Sequence, residues 1–268
     1  KEIQIESTAL RDACAMLAKL KPQSATLPVL AYALLSPPVG KDDHGTLAVN
    51  VLDEAMRVNL AMTAGKLAQP CLVPFALLKR AAKGAVEMGA VSVMADPGKV
   101  PPTVAWDAGY ARMEEAFDPI DVDEFPPMPA QPDAWLPAGN LLAQYAAALP
   151  FASTDECRHI LQGVAFFTAW QPDPTSKTPP ADQRPPSFQP GAHAVSTDGR
   201  RIECRPVEGC GLASRVIIPA CDALLMLAKQ GKDAMVGMVA CDPGYAGTLV
   251  LQAGQVTHWS RTVDGSYP

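Results

Sequence analysis

The stretch IIPACDALLMLAKQGK (residues 217–232) reads as an amphipathic helix, and 145 positions earlier VPFALLKRAAKGA (73–85) carries the same pattern, with Pro74 standing where Pro219 does. The chain repeats itself. Outward from these two helices, the order helix, three strands, helix, three strands occurs twice, and such a repeat governs the reading of everything else. In the first copy, STALRDACAMLAKLKP gives a helix over 8–20, with Ser7 or Thr8 as its cap and Pro22 as its stop. Strands follow at LPVLAYALLS (27–36), TLAVNVLD (46–53) and AMRVNLAM (55–62); after helix 73–85 come VEMGAVSVMAD, PTVAWD and YARMEEAF. In the second copy, PAGNLLAQYAAALPFAS (137–153) is a helix, ILQGVAFFTAW (160–170) a strand, and HAVSTDGRRIECRPV (193–207) two strands about a polar corner. MVGMVACDPG, AGTLVLQAG and VTHWSRTV close that copy.

Leu30 aligns with Leu161, Asp53 with Asp198 and Pro126 with Pro268, at separations of 131, 145 and 142 positions. The jump between the first two falls in AWQPDPTSKTPPADQRPPSFQPGA (169–192), a proline-rich insertion of the second copy expected to form an exposed, mobile loop. The acidic, proline-rich FDPIDVDEFPPMPAQPD (117–133) reads as the connection, giving domains over 1–125 and 126–268. Two helices and antiparallel meanders in each copy predict an α+β fold with helices on one side of the sheets.

Composition narrows the function. No run approaches the roughly 18 apolar residues of a membrane helix, and KEIQIESTAL lacks the build of a signal peptide, so a cytoplasmic protein is expected. The seven cysteines are an odd number without C-x-x-C spacing, which predicts neither a disulfide framework nor a zinc ribbon. A formal charge of −6 argues against a surface that holds nucleic acid all over, though not against a local basic lining. There is no Gly-rich phosphate loop, no H-E-x-x-H and no G-x-S-x-G, and His44, His159, His193 and His258 lack metal-ligand spacing. Neither catalysis, a metal nor a cofactor is expected. The four carboxylates of DPIDVDE (118–124) read as a solvated acidic linker, and His159 and His258 as half-exposed histidines in strands.

The corner VSTDGRRIEC (195–204) is by itself either a simple turn, since Asp-Gly is a hairpin signal, or an anion-binding loop built from Thr197, Asp198, Arg200 and Arg201. A wider set of segments resolves the choice. TLPVLAYALL, VPFALLKRAA, EFPPMP, CRHILQGVAFF, AVSTDGRRIE, IIPACDALLMLAK and VDGSYP resemble, in order and at similar spacing, the bacterial DNA sliding clamp, the beta subunit of DNA polymerase III. STDGRR, the R-x-x-L-x-G of Arg158 to Gly163, and the DGSYP ending are the most specific of them.

The resemblance implies tandem clamp domains, each with two helices under antiparallel sheets, and a non-catalytic processivity factor. Six such domains form a ring around double-stranded DNA without reading its sequence, and the ring tethers the polymerase and the clamp loader through short peptides. Family chains carry three domains; this one carries two and stops at Pro268, which fits either a longer molecule or a ring of three chains. Sliding needs only loosely held phosphates, so the helices are expected to line the DNA channel with Arg11, Lys19, Lys21, Lys79, Arg80, Lys83, Lys229 and Lys232, joined by Arg158 and His159. The third helix departs from this, with no Lys or Arg from Leu141 to Thr154. Leu161, Thr197, Gly199, Arg200, Arg201, Ile202 and Pro268 map onto the family's peptide groove, and Arg112 and Met113 onto its subunit junction. The alternative is a clamp-like paralogue that acts as an adaptor or inhibitor without encircling DNA.

Overall fold

The computed structural model describes residues 2–22, 27–38, 44–65, 69–95, 101–170, 191–213, 215–230, 233–240 and 247–267. Its elements run β1 (Glu2–Glu6), α1 (Ser7–Leu17), β2 (Tyr32–Ser36), β3 (His44–Asn50), β4 (Glu54–Gly65), β5 (Cys71–Pro74), α2 (Phe75–Gly84), β6 (Ala90–Met94), β7 (Thr103–Asp107) and β8 (Arg112–Ala116). The same order recurs as β9 (Leu136–Pro137), α3 (Leu141–Ala148), β10 (Gly163–Trp170), β11 (Gly191–Thr197), β12 (Ile202–Pro206), β13 (Val216–Pro219), α4 (Asp222–Gln230), β14 (Met235–Val239), β15 (Thr248–Ala253) and β16 (Val256–Arg261). The α+β repeat read from the sequence is the repeat observed.

Each copy holds one strand more before its first helix and one more before its second than the sequence indicates. The first kind was missed because it is short: in β1 only Ile3 and Ile5 turn inward, both fully buried, and β9 has two residues. The second kind was absorbed into the predicted helices 73–85 and 217–232, whose leading apolar residues are the strands β5 and β13. Pro74 and Pro219 end those strands, as a residue without an N–H does. They hold equivalent registers, Tyr32 opposite Pro74 and Gly163 opposite Pro219. Elsewhere several predicted boundaries run long, while β4 extends beyond the expected 55–62. Pro28–Ala31 is a 3₁₀ turn ahead of β2, Leu149–Phe151 another after α3, and Glu156–Gln162 a third ahead of β10. The cap expected of Ser7 or Thr8 is not made: Glu6 occupies the cap position, the Ser7 hydroxyl donates to Val86 O at 2.8 Å, and Thr8 bonds the Glu6 carboxylate.

Lys1–Pro129 with Gln255–His258 forms one compact unit, and Ala130–Gly254 with Trp259–Pro268 the other. In the first unit the strands pair antiparallel in the order β5-β2-β3-β4-β1-β6-β7-β8. α1 and α2 pack on each other and on β1, β4 and β7. Their buried faces follow the helical period: Leu10, Ala13, Cys14 and Leu17 on α1, Leu78, Ala81 and Ala82 on α2. In the second unit β13-β10-β11-β12 form one sheet, and β9, β14 and β15 pair in a second group. α3 packs on α4, β11 and β12. Tyr145 fastens these layers, its hydroxyl donating to Pro219 O at 2.7 Å and accepting from Cys221 N at 3.0 Å. No helix among the described residues is long and apolar enough to cross a membrane.

Candidate functional site

The polar corner joins β11 to β12, and its own side chains close it. The Asp198 carboxylate accepts the backbone N–H groups of Arg200 and Arg201, both at 2.8 Å, and the Arg201 guanidinium through Nε and Nη2, both at 3.0 Å. These hydrogen bonds, the backbone ones foremost, favour the charged carboxylate and lower its pKa from an ordinary 3.8 to about 2. Thr197 Oγ1 accepts from Gly199 N at 3.0 Å and donates to Arg201 O at 2.5 Å. Gly199 has a φ of +87°, a conformation that side chains rarely adopt, so the turn requires a glycine there. Arg158 comes to the same corner: Nη1 donates to Asp198 O at 3.1 Å and Nε lies 3.4 Å from the Asp155 carboxylate. Arg201 also lies 5.5 Å over the Phe151 ring.

Strand register places an apolar floor beside the corner. Residues directly opposite in antiparallel strands share a face, and faces alternate along each strand. Ala165, Val195, Cys204 and Ile217 therefore lie on one face, whereas Phe166, Ala194 and Ile218 lie on the other. The first face gathers Ala165, Val195, Ile217 and Tyr267 into a buried cluster edged by the half-buried Ile160, Leu161, Phe167, Cys204 and Val263. Ile202, on the same face, is 58% exposed. Tyr267 ties floor to corner: its ring is buried, and its hydroxyl accepts from Thr197 N at 2.9 Å. Burial raises the pKa of that phenol, so it stays a neutral donor and acceptor at physiological pH. Thus Leu161, Thr197, Gly199, Arg201 and Ile202 meet at one place, while Pro268 lies outside the described residues. Arg158, which the resemblance gave with His159 as a contact to the DNA backbone, reaches this corner. Tyr267 and Arg215 belong here too and were missed; the only signal was the place of Tyr267 beside Pro268.

The basic residues expected along the channel are exposed on the helices or at their ends, but several have partners. Arg11 donates to Ala82 O at 3.1 Å and to Ala85 O at 3.5 Å, holding the carbonyls at the end of α2. Arg80 pairs with Glu115, and Lys79 lies 5.8 Å over the Phe75 ring. Lys19, Lys83 and Lys229 are exposed, Lys21 takes the left-handed cap after the helical segment Ala18–Leu20, and Lys232 lies outside the described residues. α3 presents Ala143 to solvent and half-buries Gln144, Ala146 and Ala147. Arg112 and Met113 lie on β8, the edge strand of the first unit, and both are exposed. His159 sits in a 3₁₀ segment and is exposed, and His258 is fully buried with Nε2 3.7 Å from Glu54, so neither is the half-exposed strand histidine expected. Of the insertion, residues 171–190 lie outside the described residues.

No protein-family model and no curated protein matches the sequence. Solved structures do. A beta sliding clamp from C. crescentus superposes with a TM-score of 0.75 at 19% identity, over 100% of this chain and 66% of that one. A sliding clamp from Bartonella birtlesii, crystallised with griselimycin, gives 0.74 at 18% identity over 100% and 66%. One from Bacillus subtilis gives 0.69 at 19% over the same shares. The chain has the fold of the bacterial sliding clamps. It spans 66% of the length of these clamp chains, and the resemblance carried by STDGRR and DGSYP is met by the structure.

Proposed function

We propose that this chain is a sliding-clamp-type processivity factor that captures short partner peptides at the corner of its second unit and holds duplex DNA through its helices. The observation that carries the proposal is the junction of a pre-set polar corner with a partly open apolar floor, on the sheet face opposite Phe166 and Ile218. Leu161 and Ile202 offer a seat for a Leu or Phe anchor, and Thr197, Gly199, Arg200 and Arg201 fix the direction of the peptide backbone. Arg158 joins that set as a support of the Asp198 carbonyl. The helix-borne Arg11, Lys19, Lys21, Lys79, Arg80, Lys83 and Lys229 supply sequence-independent phosphate contacts, and the β8 edge with Arg112 and Met113 supplies the subunit junction of a homo-oligomeric ring. The chain works without catalysis, in the cytoplasm.

The test has two arms. Arg201→Ala weakens binding of a fluorescent peptide with a Leu-Phe anchor while leaving the oligomeric state unchanged; equal binding by both proteins sinks the groove assignment. In a retention assay on nicked circular DNA, a clamp stays bound until the circle is linearised. The uncharged α3 favours the second reading, an adaptor or inhibitor that binds clamp partners without encircling DNA. That reading gains if peptides bind and circular DNA does not retain the protein.

A further inference from the structure

The arginines around the floor differ in what neutralises them. Arg201 is held by Asp198, and Arg158 lies against Asp155. Arg215 is different. It is exposed, no carboxylate among the described residues pairs with it, and it is held in place by apolar and neutral groups. Its guanidinium carbon lies 4.4 Å over the Phe167 ring, and Nη2 donates to Tyr267 O at 3.0 Å. Phe167 meets Tyr267 edge-on at 6.4 Å between centroids, so the Arg215 side chain, the two rings and the Tyr267 carbonyl form one margin of the floor.

A guanidinium carries five N–H donors in a rigid plane, and a single bond to Tyr267 O leaves most of them unspent. Stacking on Phe167 fixes that plane, so little side-chain freedom remains to be lost when a ligand pairs with it. The geometry points to Arg215 as a carboxylate-reading residue: partner segments that seat an apolar anchor on the floor carry an acidic group beside it. This rests on the groove reading above and adds the chemistry of the partner. The charge complementarity is local, since the whole chain is acidic at −6 and a carboxylate gains nothing from its general surface.

The test uses three synthetic peptides that share a Leu-Leu-Phe anchor: one with no carboxylate and an amidated end, one with a flanking Glu and an amidated end, and one with a free terminal carboxylate. The full chain binds at least one carboxylate form about 3–10-fold more tightly than the neutral form at low salt, the range of an exposed but pre-oriented charge-assisted pair. Which form is preferred separates a side-chain source from a terminal one. Arg215→Gln removes the preference, so that the variant binds the carboxylate and neutral forms alike. A preference that survives the substitution, or a wild type that binds all three alike, overturns the proposal. Sodium acetate is the independent probe, read on the guanidinium Nε–H resonances. Acetate shifts Arg215 and not Arg201, whose Nε–H already bonds Asp198. If acetate shifts Arg215 and no peptide binds, the carboxylate site stands and the groove reading falls. If acetate leaves Arg215 unmoved, the carboxylate site falls.

Discussion

At the corner of the first unit, between β3 and β4, a buried amide does the closing; at the corner of the second, between β11 and β12, a carboxylate, two hydroxyls and a glycine do it. Asn50 donates from Nδ2 to Pro127 O at 3.0 Å and Pro126 O at 3.4 Å, and its Oδ1 accepts from Leu52 N at 2.8 Å. The same amide thus shapes the turn and fastens it to the exit segment behind the buried Phe125. In the second copy the exit segment carries Tyr267 where the first carries Phe125, and the added hydroxyl reaches Thr197 N. The first corner turns its amide inward and leaves Leu52 and Asp53 outside, whereas the second leaves Ile202 exposed among arginines. Duplication kept the backbone plan, and divergence of a few side chains is what equips one copy for capture in the proposed function.

The largest effect comes from breaking the buried closure. Asn50→Ala strands two carbonyls and an N–H in a site where Asn50 is 3% exposed, and is expected to cost about 2–3 kcal/mol. Tyr267→Phe strands only Thr197 N, for about 1–2 kcal/mol. Urea unfolding measures both, and the contrast sharpens when peptide binding is read alongside. Asn50→Ala lowers stability without touching capture, and Tyr267→Phe lowers both. If the two variants affect capture equally, the corners are not functionally distinct.

Much of this was open to sequence reading, for a physical reason. The helical and strand periods survive in each copy, so the repeat, the corner and the long helices were legible. Strands β5 and β13 were not, because VPF and IIP continue into helices without a polar break and only the proline marks the change. The corner residues Thr197, Gly199 and Arg201 stood out through their turn chemistry. Arg215, Phe167 and Tyr267 did not, because they lie on three segments that only the β10–β13 pairing and the return of the chain to Tyr267 bring together. The capping error at Ser7 has the same root: its hydroxyl serves Val86, 79 positions away.

A smaller effect tests the two turns themselves. Leu52 holds a φ of +77°, left-handed for a leucine, while Gly199 holds +87° as a glycine. The strain at Leu52 exceeds the entropic disadvantage of glycine, so Leu52→Gly is expected to raise stability by about 0.5 kcal/mol, whereas Gly199→Ala lowers it by about 1 kcal/mol or more. Thermal unfolding of the paired variants reads the opposite signs. A loss from Leu52→Gly would mean that the exposed leucine makes a contact worth more than its strain.

The smallest effect separates the corners by pH. The folded pKa of Asp198 lies near 2, below its ordinary 3.8, so its contribution is complete above about 3.8 and is lost as pH falls from there through 2. The amide of Asn50 does not titrate, so the hydrogen bonds by which it closes the first corner have no such window. Backbone N–H resonances of Arg200 and Arg201, followed from neutral pH into acid, are expected to move with a midpoint near 2 while that of Leu52 stays, for as long as the chain remains folded. A midpoint near 3.8 at Arg200 and Arg201 would mean that Asp198 does not hold their N–H groups, and that the corner owes its shape to Thr197 and Gly199 alone. Capture of a neutral peptide should follow the same curve, because the charge on Asp198 organises the corner and makes no contact with the anchor seated on the floor.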